Sequence, residues 1–265
     1  MDACPLAGGH SLIPMMKLRM ASPEHLVDVG RIPGLRFIRD DGDAIVIGAT
    51  TTQAEMINSE LLVSRLPIIR ETSLQVADPQ VRARGTLGGN VANGDPANDF
   101  PALMQCLDAV FVLQGTGGER NVPARGFYKS PFETELRAGE LLTSVRIPVP
   151  PPGHGHAYEK LKRKVGDYAT AAVAVLLTLR GGQVATCAIS LTNVGPTPLF
   201  AAEASAIVIG TSLDPETRKR AATSAKGITD PATDGRGTAE YRREMAGVMV
   251  ARALSKAMAR AQGAA

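Results

Sequence analysis

The sequence predicts an α+β protein of two domains, on three observations. Short β-rich and short helical runs alternate through the first half, a proline–glycine tract breaks the chain near residue 150, and a strand hairpin leads into helices beyond it. The chain has 265 residues, enough for one large core or two ordinary ones. Hydrophobic residues make up 44% and charged residues 21%, a globular balance that excludes a disordered chain.

In the first half, Phe37-Ile38-Arg39 and Ala44-Ile45-Val46-Ile47-Gly48 flank the acidic turn Asp40-Asp41-Gly42-Asp43, which predicts a hairpin. Thr52 with Glu55 three residues on fits a capping box, so a helix is expected from there to about Leu62. A second helix is expected over 67–76, and strands over 108–113 and 141–148. The tract Val149-Pro150-Pro151-Pro152-Gly153-His154-Gly155-His156 ends regular structure, because consecutive prolines lack amide donors and fix φ. The boundary falls there, with residues 1–150 forming one domain and 155–262 the other. Beyond it, residues 171–180 and 183–193 are β-rich runs joined by Gly181-Gly182, where both turn positions tolerate positive φ. Helices are expected over 199–209, 215–227 and 238–261. The last carries Met245, Val248, Met249, Leu254 and Met258 on roughly one face.

Several function classes are disfavoured. A formal net charge of +3, with bases and acids interleaved, does not make a nucleic-acid surface. The longest apolar stretch, residues 169–179, is about half of the roughly 20 residues a membrane-spanning helix needs. The N-terminus shows no secretory pattern, so the cytoplasm is expected, with the inner face of the membrane as an alternative location. Cys4, Cys106 and Cys187 are widely separated and read as ordinary reduced thiols, not a disulfide framework or a cluster site. His154 and His156 lack nearby carboxylate or thiolate partners, so no metal is assigned.

Two small-residue segments stand out, Ala7-Gly8-Gly9-His10-Ser11 and Thr86-Leu87-Gly88-Gly89-Asn90. A Gly-Gly pair lets successive backbone N–H groups converge on an anion with no Cβ in the way, and two such loops could hold a pyrophosphate between them. Each pair alone also fits a tight turn. Neither is followed by the Lys-Ser/Thr of a P-loop, and G-x-G-x-x-G does not occur, so ATPase and Rossmann readings lose support.

The long string from Pro79 to Pro101 and the run Ala7-Gly8-Gly9-His10-Ser11-Leu12-Ile13-Pro14-Met15-Met16-Lys17 set the chain beside a known family. So do Tyr158-Glu159-Lys160 and Arg163-Lys164-Val165-Gly166-Asp167-Tyr168-Ala169. Across almost its whole length the sequence resembles the FAD-binding medium subunits of molybdenum hydroxylases, the family of carbon monoxide and xanthine dehydrogenases. The resemblance implies a two-domain α+β fold with a vanillyl-alcohol-oxidase-like FAD-binding domain and a C-terminal domain of antiparallel strands followed by helices.

By the same resemblance, noncovalent FAD lies between Leu6, Ala7, Gly8, Gly9, His10, Ser11, Leu12 and Ile13 on one side and Thr86, Leu87, Gly88, Gly89 and Asn90 on the other. Asp99 would accept sugar or ribityl hydroxyls; as a bare residue it could equally cap the helix after Pro101. Val76 and Leu142 would sit near the flavin or adenine, where the bare reading is core packing. Lys160 would lie near the flavin as a cation, against the plain reading of a surface lysine. Tyr168 would cover one face of the ring, against ordinary packing at a strand start. His10 is expected to contribute a donor or loop packing, not a covalent link.

The implied assembly places a molybdenum cofactor on a large partner and two-iron two-sulfur clusters on a small one, in a dimer of heterotrimers. This chain's FAD would collect the electrons for a quinone, NAD or another acceptor, and no residue here acts on the organic substrate. A second reading is a non-redox scaffold of the same fold that binds FAD weakly or not at all. Relatives carry a strand and a helix before the first glycine loop, whereas residues 1–6 precede it here.

Overall fold

The computed structural model describes residues 3–263. A parallel pair, β1 (Ala3–Leu6) and β2 (His25–Asp28), brackets the short helix α1 (Leu12–Lys17). This piece contributes little to the core: α1 buries no residue and all of β2 is exposed. The acidic turn then closes the expected hairpin of β3 (Ile38–Asp40) and β4 (Ala44–Gly48).

The capping box forms as read, with the Thr52 N–H donating to Glu55 Oε2 at 2.9 Å and the Glu55 N–H to Thr52 Oγ1 at 3.3 Å. The helix it starts does not reach Leu62. It stops as α2 (Gln53–Asn58), because Ser59 is extended and its hydroxyl accepts the Leu62 N–H, opening α3 (Glu60–Arg65). Next come α4 (Pro67–Gln75), α5 (Pro79–Arg84), α6 (Leu87–Ala92) and α7 (Asp99–Cys106). Strand β5 (Val110–Gly115) begins two residues later than expected, since Asp108 takes a left-handed φ of 53°. It pairs with β6 (Gly118–Pro123), and the small hairpin of β7 (Tyr128–Ser130) and β8 (Glu133–Thr134) leads to β9 (Leu141–Pro148), at its expected bounds. The antiparallel order β3-β4-β9-β5-β6 makes a five-stranded sheet, whose Ile45, Ile47, Phe111, Leu113, Val145 and Ile147 meet the helices in one core.

Residues 149–154 carry no helix or strand, but Gly155 and His156, expected in the break, begin β10 (Gly155–Leu161). Two glycines at φ 58° and 79° turn β11 (Ala171–Arg180) into β12 (Gln183–Thr192) as predicted. The run expected as a helix from residue 199 opens as β13 (Leu199–Phe200), pairing with β12, before α8 (Ala202–Val208). Then follow α9 (Pro215–Gly227) and α10 (Ala239–Ala261), capped by Thr238. On α10, Met249, Leu254 and Met258 are buried, whereas Val248 is exposed; Ala246, Val250, Ala253 and Ala257 fill the rest of the buried stripe.

Sheet β10-β11-β12-β13 is covered on both sides, which explains the continuous apolar run of β11. Val173, Val175 and Leu177 face the C-terminal helices, while Ala172, Ala174 and Tyr158 join the core of the first half. The small alanines let α7 lie close against β11. Cys106 and Cys187 are free thiols.

Candidate functional site

A cleft of about 630 Å³ runs between the two halves, within the roughly 300–1,000 Å³ usual for small-molecule sites. It is lined by the first glycine loop, the start of α6, the end of α4, the start of β9, and the segment between β10 and β11.

In the first loop, the backbone N–H groups of Gly8, Gly9, His10, Ser11 and Leu12 donate to no acceptor among the described residues. Unpaired donors in a row form an anion site when they face a cavity. Gly8 is fixed by close approach, since a Cβ there would lie 2.2 Å from the Arg84 carbonyl oxygen, so the two loop regions pack on each other.

The second loop differs from expectation. Its N–H groups are engaged inside the protein: Leu87 donates to Thr51 O at 3.0 Å and Gly88 to Ala49 O at 2.8 Å. Gly89 donates to Thr86 Oγ1 at 3.1 Å and Asn90 to Thr86 O at 3.1 Å. A Cβ on Gly88 would meet Ala49 Cβ at 2.5 Å, so this glycine serves close packing of α6 against Ala49. What it offers the cleft is a small-residue surface and the Asn90 side chain, whose buried Oδ1 has no partner.

Of the residues expected at the site, Leu6 to Leu12, Val76, Thr86, Gly88, Gly89, Asn90, Asp99, Leu142, Lys160 and Tyr168 line this one cleft. Ile13 and Leu87 do not. The side chain of Ile13 backs the loop from outside, with its Cδ1 only 2.7 Å from where a Gly9 Cβ would stand, and Leu87 is fully buried in the core.

Asp99 is not a helix cap; it is the first residue of α7, after Asn98. Its carboxylate takes the Tyr158 hydroxyl on one oxygen and Lys160 Nζ on the other, the latter at 2.9 Å. Nor is Lys160 a surface lysine, for the two side chains of this ion pair are 1% and 4% exposed. The strand explains the grouping: Tyr158 and Lys160 are two apart on β10 and share a face, while Ala157 and Glu159 turn to the C-terminal helices. Burial, with the Asp99 charge beside it, pushes the Tyr158 hydroxyl far above its ordinary pKa, so it stays a donor.

Tyr168 is 42% exposed, so it belongs to the cleft wall and not to a core. Burial, then the charges of Asp95 and Asp99, raise its pKa. Val76 and Leu142 are buried and present the edges of α4 and β9. His10 is exposed at the loop. Sequence reasoning missed Gln53, whose buried Oε1 has no partner, and Phe132, 59% exposed with φ 62°. Gln53 follows the cap residue Thr52 and could have been suspected; nothing local marks Phe132.

The family described as FAD binding domain in molybdopterin dehydrogenase matches residues 1–150, and the CO dehydrogenase flavoprotein C-terminal domain matches 156–257. This chain belongs to the molybdenum hydroxylase flavoproteins. The carbon monoxide dehydrogenase medium chain of Afipia carboxidovorans is 60% identical to this flavoprotein over 261 residues, covering 98% of this chain and 91% of the relative. A crystal structure of a Cu,Mo-CO dehydrogenase contains a chain that superposes with a TM-score of 0.97 at 60% identity, over 98% of this chain and 91% of that one. Quinoline 2-oxidoreductase from Pseudomonas putida 86 gives 0.93 at 32% identity, over 99% and 90%.

FAD is accordingly the cofactor of the flavoprotein. The cleft fits it: the acceptor-free N–H row of the first loop suits a diphosphate, and the orphaned amide oxygens of Gln53 and Asn90 suit hydroxyl or ring N–H donors. No helix among the described residues is long and apolar enough to cross a membrane.

Proposed function

We infer that this chain is the FAD-carrying electron-transfer subunit of a molybdenum hydroxylase of the carbon monoxide dehydrogenase type. A large partner would oxidise substrate at its molybdenum cofactor, and a small partner would relay electrons through two-iron two-sulfur clusters to this chain, which passes them to a quinone, NAD or another acceptor. The observation that carries the reading is one cleft in which the free N–H row of Gly8 to Leu12 and the buried Asp99–Lys160 pair share a wall. A scaffold that had lost its cofactor would have no use for a buried ion pair facing an open cleft, since burying charges costs several kcal/mol per ion, about what their attraction returns.

Bound FAD supplies a redox couple that takes up electrons singly or in pairs. The first loop binds and orients the diphosphate through its N–H groups. Asp99 is fixed in direction by Lys160 and Tyr158, and its remaining lone pairs would accept hydroxyls of the ribityl or sugar chain. Lys160 would offer a positive charge to the bound flavin, and Tyr168, in the cleft wall, would shield it from water. Val76 and Leu142 supply apolar contacts. No residue of the cleft acts on the organic substrate, whose selection falls to the large partner; the match to a quinoline oxidoreductase supports this, because the same flavoprotein fold serves a different substrate there. We assign residues 1–150 to the FAD-binding domain and 155–262 to the C-terminal domain. The complete enzyme is a cytoplasmic dimer of heterotrimers in this reading.

The test is the visible absorption spectrum of the purified chain with its partners. Oxidised-flavin bands, bleached by the enzyme's substrate and released into the filtrate on denaturation, are the expected result. A colourless, well-folded complex refutes the assignment, and flavin that stays with denatured protein refutes the noncovalent role of His10.

A further inference from the structure

Tyr168 stands on a segment that is tied to a distant loop by charged side chains. Its own N–H donates to Asp167 Oδ1 at 2.9 Å. The Asp167 carboxylate also takes Arg163 Nε at 3.1 Å and lies 3.8 Å from Arg236 Nη2. Arg163 reaches the Gly235 carbonyl at 2.9 Å, so the segment between β10 and β11 is joined twice to the loop between α9 and α10. That loop is anchored in turn: Arg236 Nη1 pairs with Asp234 at 3.0 Å, and Asp234 pairs with Arg242 at 3.2 Å. Arg242 is buried on α10 and donates to the carbonyls of Thr170 and Ala232, which holds both loops to one helix.

At the end of this chain the Arg236 guanidinium carbon stands 5.6 Å over the centroid of the Tyr168 ring, within cation–π reach. Its Nε is buried with no hydrogen-bond partner, so the group is placed by its contacts with Asp167, Asp234 and the ring, not by full hydrogen bonding. One face of the ring is taken by the cation, which leaves the other for whatever fills the cleft that Tyr168 lines.

We propose that Arg236 is a positioning residue for the cofactor: it fixes the Tyr168 ring in the cleft wall, and its charge, acting through that ring, favours the reduced, more negative form of FAD over the oxidised form. The proposal rests on the reading of Tyr168 as the wall over the flavin. A cation stabilises nearby negative charge, and a polarised ring passes part of that effect to the group stacked on it. Arg suits the position because its planar guanidinium can stack on the ring while its N–H groups bind carboxylates.

The experiment is a spectroscopic redox titration of FAD bound to the full chain, alongside a binding titration with oxidised FAD. Arg236→Gln should weaken binding of reduced relative to oxidised FAD by about threefold to tenfold, which lowers the two-electron potential by about 15–30 mV. Arg236→Lys, which keeps the charge and loses the planar fork, should give a smaller fall, and it tests the same point should Arg236→Gln not fold. In a Tyr168→Leu background Arg236→Gln should change the potential little, because the two residues act as a unit. An unchanged potential in both Arg236 variants overturns the proposal, as does a fall of equal size with and without the tyrosine ring. A wild-type chain that takes up no FAD overturns the cofactor reading itself and this proposal with it, whereas normal FAD uptake with unmoved potentials removes only the role of Arg236.

Discussion

In the first glycine loop, five successive N–H groups have no acceptor among the described residues; in the loop that opens α6, four successive N–H groups all have one. Both loops contain a Gly-Gly with one glycine fixed by close packing, Gly8 against Arg84 and Gly88 against Ala49, yet their backbone donors are used differently. Gly88 lets α6 sit against the backbone of Ala49, with Leu87 and Val91 in the core behind it. The first loop precedes a helix that buries nothing, and its N–H groups meet no acceptor among the described residues. The lesson is that small residues mark either close packing or an open donor site, and only hydrogen-bond accounting separates the two. Stability should therefore follow the second loop, and cofactor affinity the first.

The largest effect is expected at the ion pair that lines the cleft beside both loops. Lys160→Met leaves Asp99 buried with Tyr158 as its remaining partner and should cost about 3–5 kcal/mol of unfolding free energy, read from denaturant midpoints. Adding Asp99→Leu should recover most of that loss, as no lone charge then stays buried. Should the single variant lose under about 1 kcal/mol, the pair would not be the rigid element described here.

Gly88→Ala comes next. The added methyl meets the Ala49 backbone, which cannot swing aside, so a loss of about 1–3 kcal/mol is expected in the protein stripped of FAD. Thermal unfolding unchanged by this variant would break the claim that the second loop is a packed shelf.

Two hydroxyl truncations give the sharpest contrast. Thr86→Ala removes the acceptor of the Gly89 N–H and should cost about 1 kcal/mol. Ser11→Ala should stay within about 0.5 kcal/mol, because Ser11 makes no cap bond; its effect should appear in FAD affinity instead. Equal stability losses from the two would erase the distinction between the loops.

Much of this architecture could be read locally. Thr52 and Glu55 close their capping box within one turn, and Gly181-Gly182 turn a hairpin with residues 180 and 183 in register, so neither depends on distant contacts. The premature end of α2 was also local, in the side chain of Ser59, and was missed because an apolar helical pattern continues through it. The site divides the same way. Its glycine loops and Tyr168 were visible as small-residue and Gly-Asp-Tyr strings, and their shared cleft follows the family resemblance. Tyr158 could have been added by reading 158–160 as a strand, which puts Tyr158 and Lys160 on one face. Phe132 and Arg236 carried no signal, since Phe132 reaches the cleft, and Arg236 the Tyr168 ring, only because a distant segment lies beside it.

By itself the sequence determined the helix caps, the hairpin turns, the order of the cofactor segments and, through its motifs, the family. Tertiary structure alone decided which backbone donors remain free, that Asp99 meets Lys160 across 61 residues, and that Arg236 lies over Tyr168. The physical reason is range. Caps and turns are closed by atoms a few residues apart, whereas the acceptor of an N–H, the burial of a charge and the neighbour of a ring depend on which remote segments pack together.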